Sequence, residues 1–154
     1  MARNDIRTLA IGEAGLDKLC PTPFELQLKV FQEVIRIAEK SQRPLIIHSV
    51  RTSNELIALK KEFNPIQPWI IHGFRGKKEL AQSLIRQGFY LSFGAKYNTE
   101  ALQCTPTDRI LIETDEENLP VQVLYSQAAS ILHTTEKSLT NTIQETINRL
   151  FFSR

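Results

Sequence analysis

Several things are scarce in this chain, and each scarcity excludes something. Of 154 residues only two are cysteine, Cys20 and Cys104, and they form no Cys-x-x-Cys pair. A thiolate zinc ribbon is therefore excluded, and two reduced thiols in a cytoplasmic protein are expected. No run is apolar enough to span a bilayer, so no membrane partner is expected. The opening Met1-Ala2-Arg3-Asn4-Asp5 lacks the hydrophobic stretch of a secretory leader. Net charge is only +2, so any grip on a polyanion must come from local placement of Lys and Arg. P-loop, dinucleotide and nucleophile-elbow fingerprints are missing, and "GEAG" at 12–15 is too short for a nucleotide loop. Histidine is scarce too, with three in all.

What is present belongs to a folded domain. The composition is 42% hydrophobic and 23% charged, and the length suits a single domain over 1–154. Five short apolar runs read as buried strands: "TLAIGE" (8–13), "PLIIHS" (44–49), "PWIIHG" (68–73), "FYLSFG" (89–94) and "RILIETD" (109–115). Helical patterns lie between them. Phe24, Leu28, Phe31, Ile35 and Ala38 form one stripe after a Thr22/Glu25 capping box. Thr52 and Glu55 read as a second box, and Gly88 stops a helix over 77–87. A short helical turn fits 99–103. A last helix enters at Thr134 or Thr135 and carries His133 near its start. Strand and helix alternate, which predicts an α/β parallel sheet.

The polar residues gather at strand ends. Glu13 closes the first run, His48 the second, His72 the third, and Glu113 and Asp115 the fifth. Side chains alternate along a strand, so Ile11 shares a face with Glu13, Ile46 with His48, Ile70 with His72, and Glu113 with Asp115. Carboxyl ends of parallel strands share the edge where α/β proteins place their sites. Two imidazoles with carboxylates suit zinc or another divalent first-row ion better than calcium. A lone histidine after an apolar run is ordinarily a hydrogen-bonded core residue. Two of them, matched with two acids, favour a metal site. Asp115 is the expected base, and Glu113 either orients a neighbour or pairs with a cation. Arg51, Arg75, Lys77, Lys78 and Lys96 follow the same ends. They are either solvated helix starts or a phosphate-binding rim. Tyr97 is a lone candidate for base stacking, and packing is its ordinary role.

The motifs "AIGEAGLD" (10–17), "PLIIHS" (44–49), "IHGFRG" (71–76), "YLSFG" (90–94) and "ILIETD" (110–115), in this order, resemble the TatD-type metal-dependent hydrolases. The resemblance implies a (β/α)8 TIM-type barrel, with these five strands matching the fourth to eighth and the His-x-His opening strand lacking. It implies one or two divalent ions (Zn, Mg or Mn) held by Glu13, His48, His72 and Asp115, with Glu13 bridging. Catalysis would fall to Asp115 and Glu13, and a metal-bound water would hydrolyse DNA or another phosphodiester. Arg51, Arg75, Lys77 and Lys96 would hold phosphate. Two other functions are kept open: a truncated barrel acting as an assembly or binding module, and a small-molecule amidohydrolase or lactonase. A partial barrel would leave an open sheet edge near Leu9, inviting self-association.

Overall fold

The computed structural model describes residues 7–115 and 118–152; the opening Met1–Asp5 read above lies outside them. The chain divides after Ile71 into two compact units.

In the first unit, β1 (Ile11–Asp17), β2 (Leu45–Val50) and β3 (Trp69–Ile71) are joined by α1 (Phe24–Ser41) and α2 (Ser53–Phe63). Strand β2 is central and pairs in parallel with β1 and β3. The predicted stripe of α1 buries Phe31, Ile35 and Ala38. Leu16, Leu45, Ile47, Leu56 and Trp69 are fully buried. Each such side chain contributes about 1.5–3 kcal/mol on leaving water. The Phe31 and Trp69 rings meet edge-on at 6.1 Å, and Lys60 lies over the Trp69 ring at 5.0 Å.

Three local expectations for this unit are corrected. The first strand starts and ends later than the 8–13 predicted, and its register shifts between Ile11 and Ala14. Gly15 sits inside the strand, where β2 comes very close. A Cβ there would lie 1.8 Å from the His48 carbonyl oxygen. Glu13 is thus the third residue of β1, and Asp17 is the last. Neither predicted capping box forms. The N-cap of α1 is Pro23, with no side-chain cap bond. Thr52 does precede α2, but its hydroxyl donates to the Leu16 carbonyl at 3.0 Å instead of capping.

The second unit contains α3 (Lys78–Arg86), β4 (Tyr90–Phe93), α4 (Thr99–Cys104), β5 (Ile110–Ile112), α5 (Val121–Ile131) and α6 (Glu136–Ile147). Strands β4 and β5 pair in parallel, and Glu113 N extends the ladder to the Phe93 carbonyl at 3.1 Å. Phe89, Leu91, Phe93, Ile110, Leu84 and Ile143 fill its core. Gly88, at φ +78°, lets the chain leave α3 as predicted. Thr135 caps α6 by accepting from Ser138 N. His133 is not helical: it occupies the turn between α5 and α6, at φ +52°. Across both units, five parallel strands alternate with helices, the predicted α/β class. Among the described residues, no helix is long and apolar enough to cross a membrane.

Candidate functional site

In the first unit the close approach of β1 to β2 sets Glu13 and Asp17 on either side of one imidazole. His48 Nδ1 lies 3.1 Å from Glu13 Oε1, and its Nε2 lies 3.5 Å from Asp17 Oδ2. The second distance is at the outer limit of a hydrogen bond. Asp17 is held in place by its own backbone. Gln27, in the first turns of α1, accepts from Asp17 N at 2.8 Å and donates to Asp17 O at 3.0 Å and Thr22 O at 2.8 Å. The Leu19 N–H donates to Asp17 Oδ1 at 2.7 Å. That bond, helped by His48, holds the Asp17 carboxyl below the usual aspartate range against a smaller opposing effect of desolvation. Glu13, Asp17 and His48 line an open groove of about 540 Å³ with Cys20, Leu26 and Val30. Arg51 follows β2, exposed, in a left-handed conformation at φ +57°.

In the second unit His72 comes first. Its Nδ1 lies 3.2 Å from Glu113 Oε1, which also accepts from Gly73 N at 2.8 Å. Glu113 Oε2 accepts a short hydrogen bond from the Ser92 hydroxyl on β4. Gly73 adopts φ +56°, a backbone that L side chains rarely take. Asp115 follows at φ +48°, exposed, in a region that aspartate tolerates. Arg75, Lys96, Glu113 and Asp115 line one recess, so three of the predicted site residues meet there. Lys77 is exposed at the N-cap of α3. Tyr97 packs its ring edge-on against Phe93 at 6.2 Å, and burial pushes its hydroxyl pKa up. That is a packing role.

The donor chemistry fits a divalent first-row ion. His72, Glu113 and Asp115 each offer one ligand atom, and the three lie within 4.8 Å of one another. Ligands about 2.0–2.2 Å from one ion lie about 3.4 Å apart in a tetrahedral site, so a modest closing of these side chains would seat one. Two residues that the sequence did not single out enter these sites, Asp17 and Ser92, and Glu113, expected to orient a neighbour or pair with a cation, is a hub. For Asp17 a signal was available, since it is four residues beyond Glu13, an even spacing.

Comparison with known proteins gives the arrangement its context. The metal-dependent hydrolase YabD of Bacillus subtilis is 32% identical over 94% of this chain and 66% of its own length. The deoxyribonuclease Tat-D of Schizosaccharomyces pombe is 30% identical over 71% of this chain and 38% of its own. The crystal structure of YJJV, a TatD homologue from Escherichia coli, superposes with a TM-score of 0.86. It covers 96% of this chain and 65% of that one at 23% identity, a likeness that speaks to the fold alone. The chain spans less than two thirds of the length of each of these relatives. The fold is the TIM-barrel type predicted, with five of its parallel strands present. Residues 2–151 match the family described as TatD related DNase, and to that family the chain belongs.

Proposed function

We propose that the chain serves a metal-dependent phosphodiesterase acting on DNA, with Glu13, His48, His72 and Asp115 as metal ligands. The observation that supports it best lies in the second unit. Ligand atoms of His72 and Asp115 fall within 4.8 Å of each other, and Arg75 and Lys96 line the recess that Asp115 shares. A bound divalent ion, zinc, manganese or magnesium, supplies Lewis acidity and lowers the pKa of coordinated water. The chain's residues do the rest. Asp115, exposed at the recess mouth, accepts the proton of the attacking water. Arg75 offers a planar fork to two phosphate oxygens, and Lys96 adds a point charge. Arg51 and Lys77 would extend the grip along the backbone of a polymeric substrate, and Glu13 would add its carboxylate to the metal ligands. The relative named a deoxyribonuclease supports DNA as substrate. The free thiols Cys20 and Cys104 support a reducing, cytoplasmic setting.

The test measures retained metal after dialysis and cleavage of a labelled DNA strand, for wild type and His72→Ala. The variant is expected to lose the metal and to cleave more than about 100-fold slower, since losing a ligand costs more than losing its orienting partner. Wild type retaining no more metal than the variant would sink the site. Turnover of a small lactone with none of DNA would move the activity to the amidohydrolase reading. Self-association is the competing role. Among the described residues β1 pairs on one side only, with β2, and Leu9 beside it is 40% exposed. A stable monomer by light scattering would count against it.

A further inference from the structure

We propose that Glu113 is a positioning residue, and not a metal ligand: it fixes His72 in the ring plane and tautomer that place the imidazole lone pair on Nε2, the atom that would bind a metal. The inference rests on the metal reading above only for its functional consequence.

Glu113 is fully engaged within the protein. Three donors converge on its two oxygens. Oε1 takes the Gly73 N–H at 2.8 Å and faces His72 Nδ1 at 3.2 Å, while Oε2 takes the Ser92 hydroxyl. A carboxylate so occupied has few lone pairs left for an ion. The same contacts orient the ring. A neutral imidazole has one N–H and one lone pair. Facing a carboxylate, Nδ1 must carry the proton, and the lone pair falls on Nε2. Histidines that bind metals ordinarily give their other N–H to such an acceptor.

The setting makes the contact count. Ser92 is 5% exposed, and the Glu113 and His72 side chains are 20% and 17% exposed. Hydrogen bonds shielded from water are stronger and hold geometry better. The donors also come from separate segments. Gly73 follows His72 directly, Ser92 lies on β4, and Glu113 follows β5. The left-handed turn at Gly73 keeps the chain close to Glu113, since a Cβ there would lie 3.6 Å from Oε1. The carboxylate is thus pinned by strand and backbone before it meets the ring.

The test reads the ring itself. Nitrogen-15 spectra of the metal-free full chain, at a pH where the rings are neutral, report the tautomer of each histidine. Only three histidines exist, so His72→Ala assigns the signals. In wild type, His72 is expected as the Nδ1–H tautomer. Glu113→Ala should shift it to a mixture, and Ser92→Ala should shift it less. Metal titration is the second readout. Glu113→Ala should weaken divalent binding about 10–100-fold. Glu113→Gln, which keeps an acceptor oxygen, should weaken it less than about tenfold. Retention of the Nδ1–H tautomer in Glu113→Ala would overturn the proposal. So would a Glu113→Gln variant that loses metal as completely as His72→Ala, because Glu113 would then be a ligand. Should Glu113→Ala fail to fold, Glu113→Gln and Ser92→Ala still decide. If wild type binds no metal while the tautomer shift appears, the functional reading fails and the positioning role stands.

Discussion

His48 and His72 end two nearly identical runs, "PLIIHS" and "PWIIHG", yet their surroundings differ in kind. His48 stands between two carboxylates, at 3.1 and 3.5 Å, and its side chain is 40% exposed. Glu13 beside it is 47% exposed. His72 and the Glu113 carboxylate beside it are each less than half as exposed, and that carboxylate is itself bound by a serine and a backbone amide. Water screens the first arrangement and leaves its side chains room to move. The second is ordered before any ion arrives. Matched sequence thus yields one adaptable setting and one rigid one. Local sequence sets which ligand is offered, and partners from distant strands set how firmly it is held.

That contrast can be broken or sharpened by substitution. The largest effect is expected from Gly15→Ala. Its Cβ would lie 1.8 Å from the His48 carbonyl, so β1 must move off β2. Urea denaturation should show a loss of about 3 kcal/mol, the upper end for overpacking, with the His48 resonances displaced. An unchanged midpoint would mean that β1 is not held where the groove needs it. Asp17→Asn should come next. It keeps an acceptor for the Leu19 N–H but removes the charge facing His48 at 3.5 Å. Metal affinity should fall by less than about tenfold, below the loss at Glu113→Ala. Equal losses at the two carboxylates would erase the distinction between the two settings.

The smallest effect is expected from Glu55→Gln. Lys18, just after β1, donates to Glu55, and that hydrogen bond holds the Glu55 carboxyl below the usual glutamate range. A lowered folded pKa adds stability above the unfolded value, and this is lost as pH falls through the folded one. The pair is partly exposed, so wild type should exceed the variant by only about 0.2–1 kcal/mol near neutral pH. The two should converge in acid. A constant difference across that range would assign the contact to packing rather than charge.

Much of this was legible from the chain alone. The apolar runs became strands, and the stripe of α1 became its buried face, because hydrophobic periodicity is local and survives folding. The reach of Asp115, Arg75 and Lys96 toward one recess follows from parallel strands sharing an edge. What escaped depends on contacts between distant segments. Thr52 carries the right residue for a cap, but its hydroxyl goes to Leu16, 36 positions away. The need for glycine at position 15 shows only once the neighbouring strand is known to crowd it. Glu113 reads as one acid among several until Gly73 and Ser92 are seen to bind it. Register and close approach are tertiary facts, and a single strand does not announce them.

Trp69 carries a practical consequence. It is the only tryptophan of the chain, and it is fully buried in the first unit. The three tyrosines, Tyr90, Tyr97 and Tyr125, all belong to the second. The protein is therefore its own pair of optical labels. Red-edge excitation follows the half that holds Glu13 and His48, and tyrosine absorbance follows the half that holds His72 and Asp115. Melting curves recorded in the two channels would tell whether both halves come apart as one cooperative body or in sequence, without adding a dye.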